Sequence, residues 1–143
     1  MLKGIPSILT PELLKILMEM GHGDTLVIGD GNFPAASIAK DSKLVRLDGH
    51  GVPEILDAIL QLFPLDPYVQ TPAMLMEVVP GDNVETPIWN EYAKIIEKHE
   101  PGTKIGHYER FQFYDEARKA YAVVATGEGA LYANIILQKG VVK

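Results

Sequence analysis

The sequence predicts a three-layer α/β fold: a largely parallel sheet with helices on both faces, closing on a C-terminal hairpin. Three observations carry that expectation. Short apolar runs alternate with stretches of helical periodicity along the whole chain, the pattern of successive βα units. Runs such as Thr25-Leu26-Val27-Ile28 are continuous rather than alternating, as in strands covered on both faces. The short turn Gly127-Glu128-Gly129 between the last two strands suits a hairpin.

Each element has its own signal. Thr10-Pro11-Glu12 supplies an N-cap, a proline tolerated in the first turn and an acid at the positive end of a helix dipole. Leu13, Leu14, Leu17 and Met18 continue that helix to Met20, where Gly21 offers a left-handed stop. The strand at Thr25–Ile28 then delivers Asp30 at its end. A strand near Lys43–Leu47, a helix over Pro53–Phe63 and a strand near Ala73–Val79 follow, the helix presenting Ile55, Leu56, Ile59 and Leu60 on one face. Pro87 opens a helix to Lys98 carrying Ile88, Trp89, Tyr92, Ile95 and Ile96. A strand near Lys104–Tyr108, a short helix near Phe113–Lys119 and strands near Tyr121–Thr126 and Tyr132–Gln138 complete the pattern.

Composition bounds the function. At 143 residues, 47% of them apolar, the chain is expected to form one domain over residues 1–143, with a core that needs neither disulfide nor structural metal. The absence of cysteine removes thiol nucleophiles, zinc ribbons and iron–sulfur sites, and suits a reducing cytoplasm. Thirteen Lys and Arg against nineteen Asp and Glu, with no basic block, argue against a nucleic-acid partner. No run approaches the roughly 18 apolar residues of a membrane span, so no membrane partner is expected and the protein should be cytoplasmic.

Four groups of residues could carry chemistry. His22, between Gly21 and Gly23, is an accessible imidazole able to give and take a proton near neutral pH, or a turn residue. Asp30-Gly31-Asn32 follows a buried strand, at the edge where open α/β sheets bind ligands, although Asp-Gly is also a common turn. Tyr132-Ala133-Asn134 places a phenol and a carboxamide at i and i+2, on one face if the segment is a strand, with the donors and acceptors that suit sugar hydroxyls. Arg110, among aromatics in Glu109-Arg110-Phe111-Gln112-Phe113-Tyr114, could hold a ligand oxygen or pair with Glu109 or Asp115. His50 in Asp48-Gly49-His50-Gly51 could stand behind the site or simply start a helix. No dinucleotide fingerprint, phosphate loop or fixed-face metal spacing is present, so no cofactor and no metal are expected.

Read together, several strings resemble the L-fucose mutarotase family and its sibling, D-ribose pyranase, over nearly the whole chain. They are Pro11-Glu12-Leu13-Leu14-Lys15, Met20-Gly21-His22-Gly23-Asp24, Phe33-Pro34-Ala35, Arg110-Phe111-x-Phe113-Tyr114, Thr126-Gly127-Glu128, Tyr132-x-Asn134-Ile135 and Lys139-Gly140-Val141. The resemblance implies a cofactor-independent isomerase that interconverts the anomers or ring forms of a free monosaccharide. It further implies a ring-shaped homo-oligomer with sites at subunit contacts. By motif it makes His22 the catalytic acid, Asp30 a substrate-binding carboxylate, Arg110 a sugar-binding cation, and Tyr132, Ala133 and Asn134 a further sugar contact. The Arg-Phe-x-Phe-Tyr string looks like the fucose branch. A pyranase acting on ribose and a non-catalytic monosaccharide-binding module are the alternatives, and the general base is unassigned.

Overall fold

The structure, a computed structural model, describes residues 1–143. In chain order the elements are α1 (Pro11–Glu19), β1 (Thr25–Gly29), α2 (Ala35–Ile38), β2 (Lys43–Leu47), α3 (Val52–Leu60), β3 (Ala73–Met76), α4 (Ile88–His99), β4 (Ile105–Tyr108), α5 (Arg110–Arg118), β5 (Ala122–Thr126) and β6 (Ile135–Gln138). The strands form one sheet in the order β2-β5-β1-β6-β3-β4.

The local signals explain the elements. Thr10 caps α1 by accepting the Leu13 backbone N–H at 3.2 Å, and Glu54 reaches back to the Gly51 N–H at 3.1 Å at the start of α3. The continuous apolar runs have the expected cause. Leu26 and Ile28 face one side of the sheet, with Val45, Leu75 and Leu137, under α1, α3 and α4. Val27, Val123, Ala125 and Ile136 face the other side, under α2 and α5. Side chains alternate along a strand, so a strand with a helix layer on each face must be apolar throughout. Three layers result, as the sequence predicts.

Four local expectations need correction. The last two strands are not a hairpin: β1 lies between β5 and β6, so the chain crosses over β1 before returning. β6 runs antiparallel to both neighbours, with Val27 opposite Ile136 and Met74 opposite Ile136, whereas β1, β2 and β5 are mutually parallel and β4 is parallel to β3. The second correction follows from the same segment. Tyr132 has φ +54°, a left-handed conformation that a strand cannot contain, so β6 starts only at Ile135. Third, α1 ends on an extended Met20, and it is Gly23 rather than Gly21 that takes positive φ. Fourth, α2 has no counterpart in the sequence reading, because four residues are too few to show a helical period.

Candidate active site

The carboxyl edge of the sheet gathers most of the predicted residues. Asp30 directly follows β1, Val79 lies beyond the end of β3, and Arg110 begins α5 just after β4. Because β6 runs the opposite way, its beginning meets the ends of β1 and β3, which brings Tyr132 and Asn134 to the same place. Asp30, Arg110, Tyr132 and Asn134 line one cavity of about 380 Å³, within the range of small-ligand pockets. Phe33, Met76, Val79 and Leu131 form its apolar wall.

Asp30 is buried and fixed. Its backbone N–H donates to Asn134 Oδ1 at 2.7 Å, and its carboxylate accepts from the backbone N–H groups of Asn32 at 3.0 Å and Ala133 at 3.4 Å. Burial pushes its pKa above the ordinary carboxylate value, and those N–H donors hold it back only in part. Ala133 itself is fully buried behind the cavity, so it serves the site through its backbone.

The strained turn at Tyr132 is held by α4. Trp89 donates its indole N–H to the Tyr132 carbonyl at 2.7 Å, and Tyr92 donates its hydroxyl to the Ala133 carbonyl at 2.7 Å. These two bonds hold consecutive carbonyls and so offset the cost of a bulky residue at positive φ. The Tyr132 phenol donates to Asp82 Oδ2 at 2.6 Å and accepts the Val79 N–H at 3.3 Å; the Asp82 carboxylate raises its pKa.

Arg110 is an unpaired cation at the cavity. Glu109 spends its carboxylate on the N–H groups of Phe111 and Gln112, and Asp115 pairs with Arg118 at 3.1 Å, so neither predicted partner holds the guanidinium. Its charged carbon lies 5.4 Å from the Phe111 ring centre and 5.9 Å from that of Tyr114.

His22 lies elsewhere. It precedes β1 while Asp30 follows it, and a five-residue strand spans roughly 17 Å. Within one chain the imidazole and the cavity therefore occupy opposite edges of the sheet. The His22 turn is rigid: Gly21 N–H donates to Asp24 Oδ2 at 2.8 Å and Gly23 N–H to the Lys139 carbonyl at 2.9 Å. Its Nε2 is 3.1 Å from Asp66 Oδ2, the ring rests at 5.6 Å from that of Tyr68, and 46% of the side chain is exposed. His50 pairs with Glu54 at 2.9 Å at the start of α3 and does not line the cavity.

Asp66, Asp82, Trp89 and Tyr92 escape the sequence reading of the site. Leu65-Asp66-Pro67 and Gly81-Asp82-Asn83 look like ordinary turns, and the two aromatics belong to the apolar stripe of a helix. No three His, Asp or Glu side chains converge in a way that could hold a metal ion. No helix is long and apolar enough to cross a membrane.

The chain's ancestry is decided by its match to known proteins. The model of the RbsD / FucU transport protein family matches residues 3–142. The chain belongs to the RbsD / FucU family. The family expected from the motif strings is thereby borne out, and with it the α/β fold. Among RbsD / FucU relatives, the human fucose mutarotase is 51% identical over 144 residues, covering 98% of this chain and 94% of that protein. The crystal structure of FucU from Bifidobacterium longum superposes with a TM-score of 0.96 at 63% identity, covering 99% of this chain and 100% of the other. The fucose mutarotase of Streptococcus pneumoniae, solved in complex with L-fucose, gives 0.92 at 53% identity with the same coverage.

Proposed function

We propose that this chain interconverts the α and β anomers of free L-fucose, by acid–base opening and reclosure of the pyranose ring. One observation carries the proposal: a carboxylate, a carboxamide, a phenol and an unpaired guanidinium converge on one cavity of monosaccharide scale. That set of donors and acceptors is suited to a polyhydroxylated ligand, and the apolar wall of Phe33, Met76, Val79 and Leu131 suits the carbon face of a deoxy sugar. The fucose mutarotases of human and of Streptococcus pneumoniae, at about half identity over nearly the full chain, support fucose over ribose.

The reaction needs one proton in and one proton out. The anomeric hydroxyl passes its proton to water, the bond between C1 and the ring oxygen breaks with its electron pair moving to that oxygen, and the ring oxygen gains a proton. The aldehyde then turns and closes on its other face, reversing each transfer. Asp30, Arg110, Tyr132 and Asn134 hold the hydroxyls; the Ala133 N–H keeps Asp30 in place. His22 supplies the proton from a second copy of the chain in a closed homo-oligomer. Two features support that arrangement. His22 stands half exposed at the amino edge, beside Tyr68 (66% exposed), and Phe111 and Leu131 (65% and 52%) stand exposed at the carboxyl edge. Two different apolar patches at opposite ends of one chain suit head-to-tail contacts, which close into rings. The same chemistry on a free sugar, by a chain without cysteine, suits the cytoplasm.

Exchange NMR on L-fucose, D-ribose and D-galactose tests the reading. Interconversion of the fucose anomers is expected above the buffer rate, unchanged by EDTA. Binding of fucose without added exchange would leave a monosaccharide-binding module instead, and no effect on any of the three sugars would remove the sugar reading.

Arg110→Lys tests the cation separately. Lysine keeps the charge but loses the planar fork of donors, so fucose binding is expected to weaken roughly tenfold, the worth of one charge-assisted hydrogen bond. The thermal midpoint should hold, since Arg110 has no ion pair to lose. An unchanged KM would place this guanidinium outside the sugar site.

A further inference from the structure

The connection between β3 and α4 reaches the cavity through Val79 and Asp82. Its sequence Val79-Pro80-Gly81-Asp82 encodes a tight turn: proline presets the second position, and glycine takes the positive φ that the third position of such a turn demands. In the structure Gly81 has φ +89°, and the Asp82 N–H donates to the Val79 carbonyl at 3.0 Å. The turn thereby brings the backbone N–H of Val79 and the carboxylate of Asp82 together. Both converge on one atom, the phenolic oxygen of Tyr132.

That convergence fixes which way the phenol can bond. A phenol has one hydrogen to give, and Tyr132 gives it to Asp82 Oδ2 at 2.6 Å, a separation within the roughly 2.5–2.7 Å of strong O–H donors to a carboxylate. An ionised carboxylate can only accept, so the direction of this bond cannot reverse. The Asp82 carboxylate also raises the Tyr132 pKa, so the phenol keeps its hydrogen. The Val79 N–H, which can only donate, occupies part of the remaining acceptor capacity at 3.3 Å. What is left to face the cavity is a lone pair.

The polar groups of the cavity then have separate tasks. Arg110 can only donate, and Asn134, whose Oδ1 is taken by the Asp30 N–H, has its amide hydrogens to offer. Asp30 accepts, and Tyr132 joins it. We propose that Asp82 is the positioning residue that fixes Tyr132 as a hydrogen-bond acceptor toward the sugar, so that the hydroxyl meeting this phenol must donate. This rests on the reading of Tyr132 as a sugar contact. A ligand with no hydrogen at that place would set acceptor against acceptor, a repulsive element that selects against it.

Asp82→Ala frees the phenol to give its hydrogen to the ligand. Asp82 is exposed, so the fold should tolerate the change. Fucose affinity, read by NMR titration, is expected to fall roughly tenfold, the worth of one hydrogen bond. The specific readout uses four fucose analogues, each with fluorine in place of one hydroxyl, because fluorine cannot donate. In the unsubstituted protein the analogue fluorinated where Tyr132 binds should lose about tenfold against fucose. In Asp82→Ala that penalty should disappear, while the penalties at the other hydroxyls, set by Asp30, Arg110 and Asn134, stay as they were. If no analogue changes its penalty between the two proteins, the role of Asp82 is overturned.

Tyr132→Phe separates this role from the contact itself. It should weaken fucose binding and remove the same penalty. If Tyr132→Phe binds fucose as tightly as its parent, the contact reading fails and the role of Asp82 with it. If it weakens binding while Asp82→Ala leaves every penalty in place, the contact stands and the Asp82 role alone falls. In the double variant Asp82→Ala should add nothing to Tyr132→Phe; a further tenfold loss would mean that Asp82 acts on the sugar without the phenol, which also overturns the proposal.

Discussion

His22→Asn is expected to slow fucose anomer exchange by roughly 100-fold or more, the acid–base share of catalysis, while leaving the thermal midpoint and fucose binding in place. Asparagine suits a turn, and the bonds that fix this turn run through Asp24 and Lys139 rather than through the imidazole. Its amide can still face Asp66, but it does not titrate. Exchange spectroscopy between about pH 6 and 8 checks the loss; a variant as fast as its parent would move the proton donor elsewhere, with Asp24 or Asp30 next for replacement. The separation of His22 from the cavity adds a sharper outcome. Co-assembled with an Asp30→Asn chain and assayed at fucose well below that variant's KM, the His22→Asn chain should regain activity, because some cavities with an intact Asp30 would then face an intact His22. Random head-to-tail mixing gives about a quarter of the sites. Activity that stays absent in the mixed oligomer would refute the shared site.

Asp30→Asn is the second large effect. Losing a charged acceptor for a sugar hydroxyl removes roughly 1.5–3 kcal/mol, or about 10- to 100-fold in fucose affinity. Stability should move the other way with pH. Burial holds the folded Asp30 pKa above the ordinary carboxylate value of 3.8, so the folded protein binds this proton more tightly than the unfolded chain. The stability contributed by protonated Asp30 is present below pH 3.8 and is lost as pH rises through the folded value. Urea midpoints for parent and variant should therefore diverge with rising pH in favour of the variant. A gap that narrows instead would mean that the backbone N–H groups of Asn32 and Ala133 outweigh burial. On the proposed reading, this is stability given up for a charged contact to the ligand.

How much of this was legible in the sequence depends on how local each signal is. Thr10-Pro11-Glu12 names a helix start because the cap is made within four residues, and Thr25–Ile28 names a buried strand because both faces are covered. The order of the strands is set by long-range pairing instead. Gly127-Glu128-Gly129 reads as a tight turn, but the Glu128 carbonyl accepts the Gly31 N–H at 2.8 Å and its carboxylate accepts the Val52 N–H at 3.0 Å. That segment is tied to two distant elements and leads away from β5. Gly127 is required there, since a Cβ would collide with the Asp48 carbonyl. The same limit governs the site. Asp30, Arg110, Tyr132 and Asn134 show themselves by residue type and by their place beside strands. Asp66 meets His22 across 44 positions and Tyr132 meets Asp82 across 50, and no local spacing encodes either contact.

The place of β6 also governs how the molecule is made. It is the last strand in chain order, yet it stands fourth of six in the sheet and is the sole bridge between β2-β5-β1 and β3-β4. While the chain emerges from the ribosome, all other strands are available before this one. Until residues 135–138 arrive, β1 and β3 each present an open, apolar edge of unpaired amides and carbonyls. The two strand groups cannot join into one sheet during synthesis, and the cavity, which needs Asn134 against Asp30, cannot exist before that strand inserts. Closure of the sheet thus waits for the last strand, and until then the growing chain carries two open edges of the kind that pair with neighbouring chains.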